Sequence, residues 1–172
     1  MKIQSPSAAE SQREHFIALL RRFHTAMLVT SSSEAGFHAR PMAIAQVEDS
    51  GRVWFLTAAD SPKVREIEHD SHVTVTAQDG ESCFLTLTGR AVLVDNPQKV
   101  SEIWHEPYRV WFPEGPTDPT IELISVDPDR GEFWDYSGFH RASYLWEAAK
   151  AYVTGTLPEE HNEQDRHGTV QM

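Results

Sequence analysis

Cysteine is almost missing from this sequence: Cys83 stands alone. A single thiol permits no intramolecular disulfide and no cysteine-built zinc site, and it suits a reducing cytoplasm. Positive charge is scarce as well. Fifteen Lys and Arg against 26 Asp and Glu leave a formal net charge of −11. Nucleic acid and anionic membrane surfaces both reward clustered basic residues, so neither is an expected partner. No apolar run approaches the roughly 20 residues of a membrane span. The N-terminus, MKIQSPSAAESQREHF, has no signal-peptide core. HExxH, Walker-loop, G-x-S-x-G and GxGxxG patterns do not occur, which removes the zincin, nucleotide-loop, hydrolase-elbow and Rossmann readings. The expectation is a soluble, cytoplasmic protein without internal repeats.

What is present reads as one core. Hydrophobic residues make up 40% of the 172 and aromatics 10%, enough for a single domain. We place that domain at residues 1–155, with a polar C-terminal tail over 156–172. A first helix is expected in SAAESQREHFIALLRRF, where Phe16, Leu19, Leu20 and Phe23 fall at helical spacing and Ser7 stands as the cap. TAMLVTSS reads as a strand, with a turn around residues 34–36. In FHARPMAIAQV, His38, Arg40, Met42 and Ile44 share one face, and the small apolar Ala39, Pro41, Ala43, Ala45 and Val47 share the other. EDSG is a turn signal, and RVWFLTA is expected to return as a hairpin partner. In DSPKVREIEHD, Ser61 is the N-cap and Pro62 takes the first helical position, where its missing N–H is harmless.

HVTVTAQ and CFLTLTGRAVLVD read as strands on either side of the turn DGES. Asn96 and Pro97 repeat the cap-plus-proline signal and open PQKVSEIWHEPYRVWF as a helical segment. IELISV and GEFWDYS read as a hairpin-like pair around DPDRG, and RASYLWEAAKAYVTG as a last helix stopping at Gly155. About six or seven short strands and three or four helices follow from this pass. Tight turns favour an antiparallel sheet, and that many strands invite closure toward a barrel, with helices over its open ends. The fold class is mainly β, of α+β type.

Isolated cations are the chemical signal. Arg40 lies on a strand beside Pro41, which cannot donate to a ladder and therefore marks an edge or bulge with backbone free for a ligand. A guanidinium grips a phosphate with two parallel hydrogen bonds; a surface ion pair is the ordinary alternative. FLTAADSPK brings Thr57, Ser61 and Lys63 to the adjoining strand end, where hydroxyls, helix-start N–H groups and an ammonium form a phosphate cradle. Nine histidines are scattered, and the His69/His72 pair lacks a third ligand at metal spacing, so no metal site is expected. Cys83 reads as a core thiol. Tyr108, Trp111, Phe112, Trp134 and Tyr136 are core or interface aromatics, or rings beside a planar cofactor.

Taken in order, ARPMA, GRVWFLTAADSPKVREIEHDSHVTVT, FLTLTGRAVLVDN and IELISVDPDRGEFWD resemble the pyridoxamine 5'-phosphate oxidase-like flavoproteins with an FMN-binding split barrel. Within them the chain is most similar to the general stress protein 26 group. The resemblance spans about residues 14–137. It implies a homodimer holding FMN in a groove between two subunits, with FAD as the larger alternative. It assigns Arg40 and Lys63 to the phosphate, Pro41 and Met42 to the isoalloxazine, Leu56 and Thr57 to the strand end beside the cofactor, and Ser61 to the turn hydroxyl. Thr86 would reach the flavin from a neighbouring strand, and Trp111 would line the outer side of the pocket.

Two departures bear on activity. Pro62 stands where the authentic oxidase often has an arginine, and the arginine- and histidine-bearing C-terminal segment for its pyridoxal substrate is replaced by an acidic tail. Authentic pyridoxamine 5'-phosphate oxidase activity is therefore not expected. The implied function is flavin-dependent oxidoreduction of an unidentified small molecule, with a non-catalytic flavin-binding or stress-response module as the alternative. A deazaflavin or haem in the same barrel is a third reading. No general acid or base stands out.

Overall fold

A computed structural model of the chain describes residues 7–32, 36–80, 82–136 and 167–172. The expected last helix, residues 141–155, lies outside the described residues, as do residues 34 and 35 of the first turn. Helix α1 (Ala8–Leu20) begins on a reciprocal capping box. The Ser7 hydroxyl accepts from the Glu10 N–H at 3.2 Å, and the Glu10 carboxylate accepts from the Ser7 N–H at 3.4 Å. Phe16, Ile17, Leu19 and Leu20 are buried, so the helix turns its apolar stripe onto the sheet.

The strands are β1 (Thr25–Ser32), β2 (Gly36–Ala43), β3 (Gln46–Val47), β4 (Val53–Ala58), β5 (His72–Gln78), β6 (Cys83–Val94), β7 (Ile121–Asp135) and β8 (His167–Gln171). All pair antiparallel in the order β2-β1-β5-β6-β7-β4-β3, with β8 also on β7. The sheet curls into a half-barrel. At its open seam the Ile44 N–H donates to the His24 carbonyl at 2.9 Å, and the Ala45 N–H to the Trp54 carbonyl at 2.8 Å. Helices α2 (Pro62–His69) and α3 (Pro97–Ile103) follow their Ser61-Pro62 and Asn96-Pro97 signals. No helix among the described residues is long and apolar enough to cross a membrane.

Four expectations need correction. In its hairpin RVWFLTA meets only Gln46 and Val47, because ARPMA pairs with β1 and the chain leaves that ladder at Ile44; its full-length partner is β7, from Val53 opposite Val126 to Ala58 opposite Ile121. IELISV and GEFWD form one strand of 15 residues, not a hairpin. Its Pro128 faces Gly89 where the β6 register shifts between Thr88 and Gly89. A Cβ on Gly89 would collide with the Asp127 carbonyl oxygen, so glycine and proline here mark a bulge. Beyond it β7 exchanges its β4 neighbour for β8. The helical run from Pro97 stops at Ile103. Trp104 is extended, and Pro107, which has no N–H to give, sits in a 3-10 turn over Glu106–Val110. Finally, the residues read as a polar tail end in strand β8, where Val170 is buried and Gly168 lies against the Phe133 ring.

Among the described residues two apolar clusters result. The larger lies inside the half-barrel, where α1 places Phe16 and Leu20 against Leu28, Phe55, Val75, Leu85, Leu87, Ile124 and Phe133. Each such side chain contributes roughly 1.5–3 kcal/mol by leaving water. The smaller, outside β4, joins Trp54 and Leu123 to Val100, Ile103, Tyr108 and Phe112. Strand β4 is covered on both faces, which suits its apolar run from Val53 to Leu56. The smaller cluster also builds one wall of the pocket described next.

Candidate functional site

A cavity of about 380 Å³ opens where the C-terminal ends of β2 and β4 meet the start of α2 and the 3-10 turn. Strand β2 contributes Pro41, Met42 and Ala43 to the lining, β4 contributes Leu56, Thr57 and Ala58, the 3-10 turn and the residues after it contribute Tyr108, Trp111 and Phe112, and α2 contributes Lys63. Six of the nine residues singled out from the sequence thus meet here: Pro41, Met42, Leu56, Thr57, Lys63 and Trp111. Among the described residues strand β2 is an edge of the sheet, a position that suits its proline. Trp111 is 65% exposed and presents apolar surface to the cavity, whereas Tyr108 and Phe112 are anchored in the smaller core cluster.

The polar end of the cavity is built by the turn between β4 and α2. The Ser61 N–H donates to the Ala58 carbonyl at 3.0 Å, which brings the helix start back over the strand end. Lys63 Nζ then donates to Thr57 Oγ1 at 2.9 Å, and the Ser61 and Thr57 hydroxyls lie 3.2 Å apart. Ser61 occupies the N-cap position, but its hydroxyl does not cap the helix. It faces Thr57 instead. Burial pushes the Lys63 ammonium below the usual lysine range, and the charge of Arg40 adds to that; Glu66 and Asp60 pull the other way. An ammonium held this way gains from an anion more than a solvated lysine does.

Arg40 has a different engagement. Its Nη2 donates to Glu66 Oε2 at 2.5 Å, and its Nη1 to Thr30 Oγ1 at 2.6 Å and the Leu28 carbonyl at 3.3 Å. Thr30 Oγ1 in turn donates to Glu66 Oε2 at 2.5 Å, and His38 Nδ1 lies 2.6 Å from Glu66 Oε1. Burial would raise the Glu66 carboxyl, but bonds from Thr30, His38 and Arg40 outweigh it and hold the group below the usual carboxylate range. Arg40 therefore lies beside the cavity without lining it. Thr86 lies on the outer face of the sheet. Pro41 pairs with Met27, Met27 with Thr76, and Thr76 with Thr86, so three ladder steps, about 14 Å, separate Thr86 from the cavity lip.

No metal cluster occurs among the described residues. His72 Nδ1 is 2.8 Å from Asp70 Oδ1, an exposed pair. Cys83 is fully buried, and burial, with Asp135 and Asp79, pushes its thiol up to about 11. It is the core thiol the sequence implied.

A cavity lined by proline, leucine and aromatic side chains, with an ammonium and two hydroxyls grouped at it, suits an apolar ring carrying an anionic tail. Residues 11–159 match the family described as pyridoxamine 5'-phosphate oxidase like. The chain belongs to the pyridoxamine 5'-phosphate oxidase-like family. Among solved structures it is similar to a protein described as a general stress protein 26 from Jannaschia sp. CCS1, with 24% identity, TM-score 0.72, and 96% of this chain and 100% of that one covered. It is similar at 27% identity to the general stress FMN/FAD binding protein of Xanthomonas citri, with TM-score 0.64 over 74% of this chain and 91% of that one. The general stress protein 26 of Bacillus anthracis str. Sterne shares the fold at 20% identity, TM-score 0.64, covering 71% and 92%. No curated protein sequence matches the chain.

Within this member of the pyridoxamine 5'-phosphate oxidase-like family, sequence reasoning missed Ala43, Ala58 and the whole Thr30–His38–Glu66 set around Arg40. The two alanines carry no chemical signal. Glu66 left one trace: it follows Lys63 at the i,i+3 interval that puts both side chains on one face of α2.

Proposed function

We propose that this protein binds FMN in the cavity between β2, β4 and α2, with FAD as a ligand whose adenylate would extend outside. One observation carries the reading: a cavity lined by Pro41, Leu56 and three aromatic side chains also holds Lys63 and Thr57, with the Ser61 hydroxyl against Thr57, so ring and phosphate requirements meet in one pocket. The family and the relative described as FMN/FAD binding support it. Lys63 and the two hydroxyls receive the phosphate; Arg40, bonded to Glu66, stands beside the cavity and outside its lining. Pro41, Met42, Leu56 and Trp111 flank the ring. The flavin supplies electron transfer when bound; this chain binds, orients and excludes water. Purified protein incubated with FMN is expected to retain one flavin per chain through gel filtration. Loss of all flavin in low-phosphate buffer refutes the reading.

We assign oxidoreduction of a small molecule as the activity, and a flavin-holding module without turnover is the competing reading. The cavity wall favours the latter in one respect: among the described residues it presents no carboxylate or imidazole for proton transfer. Oxidation of NAD(P)H by the loaded protein separates the two. We also propose a homodimer in the cytoplasm, where a lone reduced thiol is at home. The outer face of the sheet exposes Met27, Phe37 and Phe84. Thr86 lies on that face, too far from the cavity of its own chain, and would serve the flavin of a second copy. Sedimentation at micromolar concentration is expected to give a dimer, tightened by FMN. A flavin-loaded chain that stays monomeric on concentration refutes the shared site.

A further inference from the structure

The one charged residue of α2 that faces the phosphate end yet has no part in the reading above is Glu66. Its side chain is 11% exposed, and that of Arg40 is 19% exposed. Together with Thr30, itself 1% exposed, they close a ring of three hydrogen bonds: Arg40 to Thr30, Thr30 to Glu66, and Arg40 to Glu66. The bonds tie α2 to the paired strands β1 and β2. Pro41, Met42 and Ala43, the residues following Arg40, all line the cavity; the arginine does not. With Lys63 and Arg40 positive and Glu66 negative, the end of the cavity carries one net positive charge from these three groups.

We propose that Glu66 is a specificity-determining residue of the phosphate site, an internal carboxylate that occupies Arg40 and leaves Lys63 as the cation the ligand meets. The proposal rests on the flavin reading above. A phosphate and a carboxylate compete for the same guanidinium N–H groups through charge-assisted bonds, and here Glu66 takes Nη2 while Thr30 and the Leu28 carbonyl take Nη1. While these groups are held, the phosphate contributes less to binding than two free cations would allow. The ring then contributes the larger share, and ligands differing only in their phosphate are less sharply distinguished. The charge of Glu66 also supports the partly buried Lys63 ammonium beside Arg40.

The test measures FMN and riboflavin binding to the full chain, to Glu66→Gln, and to the double variant Arg40→Ala/Glu66→Gln. Thermal midpoints confirm that each folds. Glutamine keeps an oxygen for Thr30 but loses the charge. Glu66→Gln is expected to bind FMN about tenfold more tightly, the low end of a charge-assisted contact. Riboflavin, without a phosphate, is expected to stay within about twofold. In the double variant no lone charge remains, and FMN affinity is expected within about threefold of wild type. The double variant decides the matter even if Glu66→Gln fails to fold. Unchanged or weaker FMN binding by Glu66→Gln overturns the proposal, as does a tenfold or larger FMN loss in the double variant at constant riboflavin affinity (about 1.4 kcal/mol). Either result leaves the flavin reading intact. A wild-type chain that takes up neither flavin overturns both.

Discussion

Replacing Lys63 with alanine gives the sharpest test of the phosphate end. The ammonium is the cavity's own cation, 2.9 Å from Thr57 Oγ1 and partly buried, so the variant removes a charge-assisted donor. Such a contact contributes about 1.5–3 kcal/mol net, which corresponds to roughly a ten- to hundredfold loss of FMN affinity. The side effects are small by construction. Thr57 is 5% exposed, but its hydroxyl keeps Ser61 at 3.2 Å as a partner, so no buried polar group is orphaned. Alanine is also a strong helix former in the first turn of α2. Riboflavin is therefore expected to bind Lys63→Ala about as well as wild type.

Titration calorimetry with both ligands gives the two constants, and their ratio isolates the phosphate. The wild-type ratio should itself fall as pH rises, because the depressed Lys63 ammonium loses its proton earlier than a solvated lysine. In Lys63→Ala that portion of the pH dependence is expected to vanish. Equal losses of FMN and riboflavin would show that Lys63 acts through the fold. An unchanged FMN constant would show that the phosphate binds elsewhere.

Three further outcomes follow from the packing. Gly89→Ala should destabilise the chain by about 1–3 kcal/mol in chemical denaturation, since the new methyl meets the Asp127 carbonyl across the bulge; an unchanged midpoint refutes the bulge account. Cys83 should resist alkylation at neutral pH until the protein unfolds, because its thiol is buried and pushed up to about 11; rapid labelling of native protein refutes it. Glu66, with a folded-state pKa below its unfolded one, contributes stability that is present above the unfolded pKa and lost as pH falls through the folded one. Wild type should therefore lose more stability on acidification than Glu66→Gln, as read from denaturation midpoints at a series of acid pH values. Parallel curves refute the assignment.

Much of this protein was legible in its sequence wherever the signal is local. TAMLVTSS, HVTVTAQ and CFLTLTGRAVLV are the strands β1, β5 and β6, because period-two alternation needs only neighbouring residues. Ser7, Ser61 and Asn96 mark helix starts through bonds and proline positions within four residues. Lys63, Ser61 and Thr57 come together because one short turn holds all three. Tertiary structure decided what depends on distant partners. DPDRG reads as a turn until β6 lies beside it and Gly89 receives the Asp127 carbonyl, which makes the stretch a bulge in a continuous strand. HGTVQ is polar enough for a tail until Phe133 and the β7 ladder give Gly168 and Val170 a surface. Arg40 looks like a free cation in the sequence, yet Glu66, 26 residues away, takes it. That contact is set by the β1–β2 register and by where α2 packs beneath them. A charge has no fixed partner until the fold brings a counter-charge within a few ångströms, and neither periodicity nor spacing along the chain encodes that distance.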